Sequence, residues 1–360
     1  MIYIVLFAYT VGTSYIFENS SLYKSRYNEV LKNHVDVQTI KRIFAYTIVV
    51  MPMILIHALR YGFGPDYTGT YRSIFYDVKN GFLLPKLEQG YFLLTKIMTF
   101  FTDNYVWELS IVSIITLTIV VIGIYQHAHM ITASLALVFL SGFYFDSTTA
   151  MRQELACAIF LYAIPYLKQN KFWRFTLCIF IASLFHNSIW IIYPFYFLKK
   201  IKPKKWIFII LILGFWYARN IINNLVENFI YNDNVYDKYT YSLNEGRTDS
   251  LTYIIVFSVL LLIVLLGLKK QSIIYFDIYI VVFGFIISIS SSTVPYLYRF
   301  ELYMLAALIY VVPDIIMNLK EKVKVFVVPL IYVVFSMYIL WGAIIANWYG
   351  AIPYISVFQR

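Results

Sequence analysis

The chain has only two cysteines, and charged residues make up just 13% of its 360 positions. Two thiols are too few for a disulfide-stapled secreted scaffold. So low a charge content excludes an ordinary soluble domain, where about 25% of residues are charged, and also excludes disorder and a coiled coil. Nucleotide signatures are missing as well. There is no P-loop, no Gly-x-Gly-x-x-Gly, and no Asp-x-Asp pair of the kind that holds a divalent cation for nucleotide-sugar chemistry. His34, His57, His127 and His129 are scattered, and His127-x-His129 has no acid in its short loop. No metal site and no cofactor are therefore expected.

What is abundant is apolar: 61% hydrophobic residues, with 20% Phe, Trp and Tyr. This composition predicts an all-α polytopic membrane protein, a single integral membrane domain over residues 1–360. Apolar runs predict about twelve transmembrane helices, at 2–17, 43–59, 107–125, 131–147, 152–167, 172–186, 188–198, 206–222, 251–268, 274–293, 299–317 and 325–347. The pair 172–186 and 188–198 is too short to cross as two full spans and predicts a short hairpin with its tip at His186-Asn187-Ser188. The run 91–101 predicts a helix lying along one interface. Outer-side loops are expected at about 60–106 and 223–250. Cys157 and Cys178 fall inside apolar runs and read as small buried residues. The first run has no basic leader region and reads as an uncleaved span.

Placing segment 18–42 in the cytoplasm puts 18 of the 29 basic residues on that side, as the positive-inside rule expects. The net charge of +10 is then a topology signal, and no nucleic-acid partner is implied. Fifteen of the 19 lysines are cytoplasmic, whereas seven of the ten arginines are outer: Arg60, Arg72, Arg152, Arg219, Arg247, Arg299 and Arg360. Topology needs only positive charge. Arginine at outer helix ends suits bidentate recognition of phosphate or carboxylate.

Polar groups interrupt the outer ends in five places. Arg60-Tyr61-Gly62-Phe63-Gly64-Pro65-Asp66-Tyr67 reads either as a loop that approaches a ligand or as an interface turn with an Arg60–Asp66 ion pair. Glu88-Gln89-Gly90-Tyr91 reads as a helix N-cap or as a carboxylate that meets a sugar hydroxyl. Thr148-Thr149-Ala150-Met151-Arg152-Gln153-Glu154 puts Arg-Gln-Glu at the start of an apolar helix, where Thr149 capping and a Glu154–Arg152 pair compete with anion binding. Phe185-His186-Asn187-Ser188 offers a histidine, a side chain suited to proton transfer near neutral pH or simply to a backbone hydrogen bond. His186 and Ser188 are poorly spaced for a Ser–His pair. In Tyr296-Leu297-Tyr298-Arg299-Phe300-Glu301, Arg299 and Glu301 point apart on a helix, so each needs its own partner.

In this order the pieces resemble the EpsG family of Wzy-like bacterial polysaccharide polymerases. The matching stretches are Arg60–Asp66-Tyr67, Glu88-Gln89-Gly90-Tyr91, Arg152-Gln153 with Ala156, Phe185-His186-Asn187-Ser188, and Arg299 followed by Tyr303 and Pro313. The sequence departs from the family at Gln89, where proline is usual, and at Tyr71, which falls one residue late. The resemblance implies a GT-C-like membrane glycosyltransferase of the bacterial inner (cytoplasmic) membrane, its active site facing the periplasm or cell exterior. It would polymerise undecaprenyl-pyrophosphate-linked oligosaccharide repeats into O-antigen, capsule or exopolysaccharide. Partners would be those lipid-linked oligosaccharides, membrane lipids and, where one exists, a chain-length-regulating co-polymerase. It also suggests roles: Arg152 and Arg299 on the pyrophosphate leaving group, His186 or Glu88 as base, and Arg60, Asp66, Tyr67, Tyr91 and Gln153 in substrate binding. The competing readings are a lipid-linked oligosaccharide flippase and an O-antigen-ligase-type transferase. Against the flippase, the polar groups cluster at one surface and the halves show no repeat.

Overall fold

The computed structural model describes residues 1–24, 37–204, 250–267, 275–291 and 297–359, with scattered positions between 206 and 224. Nearly all of the expected loop 223–250 and about half of the expected span 206–222 lie outside the described residues, as do Arg219, Arg247 and Arg360. Among the described residues the architecture is helical, with no strand and with an isolated antiparallel bridge between Arg60 and Ser356.

Among the described residues, four helices are long and apolar enough to cross a bilayer: Val37–Ala58, Tyr105–His127, Tyr298–Asn318 and Glu321–Ile345. A fifth span arises if Ile131–Leu140 and Phe143–Thr149 are taken as one, bent by 46°. The predicted run 131–147 is thus a broken helix. Hydropathy reads straight across the break, because the interrupting Ser141-Gly142 is small and nearly neutral. Gly142 has φ +91, a left-handed conformation that a side chain would resist, and an added Cβ would lie 2.7 Å from Tyr338 Oη.

The expected hairpin is also irregular. Helix Phe172–Ser183 ends at a turn, and the chain continues as a 3-10 segment Asn187–Ile192 and a short helix Phe195–Leu198. The run after Glu88 is the helix Gln89–Phe101, with Phe100 and Phe101 about four-fifths exposed, as suits contact with lipid. The expected loop 60–106 contains a further helix, Thr70–Lys79, whose Tyr71, Phe75 and Val78 recur at helical spacing and are buried.

Tyr298–Asn318 is central, with 89% of its most apolar window inside, against 22% for the last long helix. It packs on Tyr275–Ser291, Met151–Lys168 and Ile131–Leu140. The alanines of Met151–Lys168 (Ala156, Ala158 and Ala163, all buried) allow the close helix approach that replaces hydrophobic driving force in lipid. Arg152 and Lys168 stand at opposite ends of that helix, about 24 Å apart along its axis. At the Lys168 end, Nζ lies between Asp277 Oδ1 (2.7 Å) and Asp314 Oδ2 (2.5 Å). His129 Nδ1 reaches Asp314 Oδ1 at 2.7 Å, so the acid missing from the local loop comes from another helix. At the amino end of Ile131–Leu140, Glu18 accepts from the backbone N–H groups of Ile131 and Thr132 (3.0 and 2.9 Å), satisfying orphan donors.

Candidate active site

A cavity of about 280 Å³ opens at the Arg152 end. Arg152, Gln153, His186, Arg299 and Asp66 line it, so five of the nine site residues expected from sequence meet there. They come from four separate stretches of chain, each ending or turning at this level.

Glu88 stands just behind the wall and holds two of the lining groups. Its Oε2 accepts from Arg152 Nη1 at 2.5 Å, and its Oε1 faces His186 Nδ1 at 3.1 Å. The capping role does not occur: Glu88 occupies the N-cap position of Gln89–Phe101, yet its side chain makes no cap hydrogen bond. A Glu154–Arg152 pair does not form either. Glu154 is buried beside Asp146 and Cys157, and Thr149 turns its hydroxyl back to the Asp146 carbonyl (3.2 Å) rather than capping the next helix. Burial works to raise the Glu88 carboxyl, but contact with His186 and the Arg152 charge outweigh it. The group is held below the usual carboxylate range.

Gly90 explains why Glu88 can reach His186. The N–H groups of Gly90 and Tyr91 donate to the Leu184 carbonyl (2.8 and 3.3 Å), locking the start of one helix onto the hairpin tip. A Cβ on Gly90 would lie 2.7 Å from that carbonyl oxygen. Only glycine permits the approach.

Arg152 is further fixed by Tyr91, whose ring lies 5.8 Å from the guanidinium carbon, and by Tyr71, whose hydroxyl accepts from its backbone N–H at 3.3 Å. Burial pushes the Tyr71 hydroxyl up to about 12, so it stays protonated. Gln153 donates to the Arg299 carbonyl, tying the two arginine-bearing helices together at the cavity. Ser188 is bonded to Tyr303 (2.8 Å) and is no partner to His186.

Arg60 is not on the cavity wall. It is 1% exposed and donates to the His57 carbonyl (2.6 Å), Ser113 Oγ (2.7 Å) and the Thr148 carbonyl (3.1 Å). A guanidinium at the carboxyl end of Val37–Ala58 suits the helix dipole. Its effect is to clamp that helix and Tyr105–His127 to the backbone just before Arg152. The Arg60–Asp66 pair does not form; Asp66 accepts from Thr70 at 2.8 Å instead. Tyr67 is buried behind the wall, with its hydroxyl on the Arg60 carbonyl (3.1 Å) and its ring 5.9 Å from the Arg60 guanidinium. Tyr91 is likewise buried, beneath Arg152.

The sequence matches the EpsG family over residues 43–356, most of the chain. The chain belongs to the EpsG family. This makes it a membrane protein of polysaccharide-polymerase type, glycosyltransferase-like in its general chemistry. No curated protein and no solved structure matches it.

In this EpsG-family chain the cavity also takes residues that the sequence did not single out: Asp146, Tyr253, Trp348 and Tyr349. Asp146 carried a readable signal, as a lone carboxylate inside an apolar run. Trp348 and Tyr349 carried none, since nothing local says that the segment after the last helix folds back over the site.

Proposed function

We propose that the chain lengthens a surface polysaccharide by joining oligosaccharide repeats carried on undecaprenyl pyrophosphate. The observation that carries this reading is the single cavity shared by Arg152, Arg299 and His186. In the reaction, the anomeric carbon of the donor glycan parts from the diphosphate oxygen and bonds to a hydroxyl oxygen at the non-reducing end of the acceptor repeat. The hydroxyl proton passes to His186, and the electron pair of the broken bond stays on the departing diphosphate. Arg152 and Arg299 meet that developing charge with planar forks suited to phosphate oxygens. With Nδ1 of His186 turned to Glu88, Nε2 is the nitrogen left to take the proton. Glu88, ionised and engaged on both oxygens, is a positioning residue and a poor base. Gln153 sets the Arg299 backbone, Asp66 meets acceptor hydroxyls, and Arg60, Tyr67 and Tyr91 hold the wall from behind.

The cavity end is assigned to the periplasm or cell exterior. Supporting this, Lys168 and the basic stretch that follows it begin at the opposite end of the Arg152 helix, where positive charge belongs inside.

Arg152→Ala and Arg152→Lys test the reading in membranes supplied with lipid-linked repeats. Alanine removes one fork and leaves Glu88 without its cation, so long-chain product should fall about 10²–10³-fold while single repeats accumulate on lipid. Lysine keeps the charge without the fork and should restore only part of the rate. Undiminished long chains from Arg152→Ala at normal protein levels would overturn the proposal.

A further inference from the structure

We infer that Glu108, a buried carboxyl behind the cavity wall, is a positioning residue for Arg152: it anchors Tyr91 and Thr95 on the helix Gln89–Phe101, and the Tyr91 ring in turn supports the guanidinium. That this guanidinium meets a diphosphate rests on the polymerase reading; the chain of contacts stands without it.

Glu108 sits one turn into the apolar helix Tyr105–His127, where a carboxyl is costly to bury. A carboxylate answering the free N–H groups of its own helix would be the local explanation. That end is already capped by Asn104, which accepts from Val106 N–H at 3.1 Å. Glu108 turns to the neighbouring helix instead. Its Oε1 accepts from Thr95 Oγ1 at 2.5 Å, and the Tyr91 hydroxyl is in hydrogen-bonding contact with the carboxyl. Tyr91 Oη and Glu108 Oε2 have no other partner, and all three side chains are buried. Tyr91 and Thr95 are four positions apart on one face of their helix, so a single carboxyl receives two hydroxyls one turn apart.

The same helix carries the site. It begins beside Glu88, which holds Arg152 and His186. The Tyr91 ring lies 5.8 Å from the Arg152 guanidinium carbon and 6.0 Å from the ring of Tyr71, whose hydroxyl accepts from the Arg152 N–H. A ring held only by packing can slide along its apolar neighbours. A ring whose hydroxyl is tethered to a second helix cannot. Glu108 thereby sets the depth of the ring beneath Arg152 and the register of the helix start at Glu88, so that the guanidinium presents its fork in a fixed direction. An amide of the same shape can serve both hydroxyls, whereas leucine fills the space and serves neither.

The test uses the full chain in lipid nanodiscs and measures binding of inorganic pyrophosphate, without metal, by phosphorus NMR titration. Arg152→Ala sets the reference and should weaken binding about 30-fold. Tyr91→Phe removes one oxygen and keeps the ring; it should weaken binding about five-fold. Glu108→Leu, which leaves both hydroxyls without their acceptor, should weaken it about ten-fold, and Glu108→Gln should recover binding to within about three-fold of the unaltered chain. In an Arg152→Ala background, Tyr91→Phe should cause no further loss, because the group it positions is gone. Tyr91→Phe carries the test if Glu108→Leu fails to fold. Unchanged affinity in Tyr91→Phe beside a weakened Arg152→Ala would overturn the inference and leave the polymerase reading in place. An equal loss from Tyr91→Phe with and without Arg152 would also overturn it, since the carboxyl would then act on the fold at large. Full affinity in Arg152→Ala would overturn the diphosphate assignment and the inference with it.

Discussion

Gly90→Ala is the sharpest probe of how the site is held together, because it adds one methyl group and touches no reacting atom. The new Cβ would sit 2.7 Å from the Leu184 carbonyl oxygen and 2.8 Å from Leu184 Cβ. Ordinary contact begins near 3.4 Å, so the two segments must separate by about 0.7 Å. The nearest obstacle is backbone, which cannot rotate away. Separation stretches the Gly90 and Tyr91 hydrogen bonds to Leu184 and moves Glu88 away from His186, two residues beyond. Overpacking of this kind costs about 1–3 kcal/mol of stability, and a misplacement approaching 1 Å costs up to about 10²-fold in rate. We expect Gly90→Ala to fold, to reach the membrane, and to polymerise about 10–100-fold more slowly. Gly12→Ala is the matched control: nothing lies within 4 Å of its Cβ, and it should be silent. The assay is chain-length distribution from lipid-linked repeats at equal protein level. A Gly90→Ala enzyme with wild-type chains would refute the claim that the helix start at Glu88 positions His186.

The Glu88 contacts also predict a pH dependence. Its folded carboxyl is held below the ordinary value near 4.5, so its contribution is present above that pH and is lost as pH falls through the lowered value. Melting temperature in detergent should therefore drop below about pH 4.5, and Glu88→Gln should flatten that acid limb; an unchanged limb in the variant would sink the assignment. At the other end of the molecule, Lys168→Met removes the cation between Asp277 and Asp314 and leaves two carboxylates in a buried position. Breaking such a pair from one side costs about 3–5 kcal/mol, so the variant should melt well below wild type, and Lys168→Met/Asp277→Asn should recover part of the loss. A neutral Lys168→Met would show that the cluster is solvated.

Much of the site was legible in the sequence, because charged and polar groups inside apolar runs have few reasons to be there. Arg152, Gln153, His186, Arg299 and Asp66 were found that way and do meet. Their pairings were not legible. Local chemistry offered Arg60–Asp66 and Arg152–Glu154, each a short step along the chain, yet Arg60 turns to the His57 carbonyl and Arg152 reaches Glu88, 64 positions away. Burial decides this: a guanidinium clamped among packed helices takes whichever acceptor the packing delivers. The same gap hid the break at Ser141-Gly142, where hydropathy stays high through a backbone turn. It also hid the terminal segment, whose place depends on hydrogen bonds to residues 56–61, nearly 300 positions earlier.

The interruptions themselves converge on the candidate site. A lipid-exposed backbone cannot leave N–H and C=O groups unpaired, so a helix can break at membrane depth only where protein or trapped water supplies the missing partners. In this chain the bend at Gly142, the turn at Leu184–His186, the helix starts at Met151 and Tyr298, and the fold-back at Trp348 all reach the wall of one cavity. At the Lys168 end of the same helices, the charged groups pair with one another. Such breaks cost packing and propensity without return unless a polar ligand enters between them. That asymmetry favours a ligand-binding pocket at the Arg152 end. It also predicts where tolerance to mutation ends. Replacing an exposed apolar residue such as Phe100 or Phe101 by leucine should leave polymerisation unchanged, because those side chains face outward and hold nothing in place.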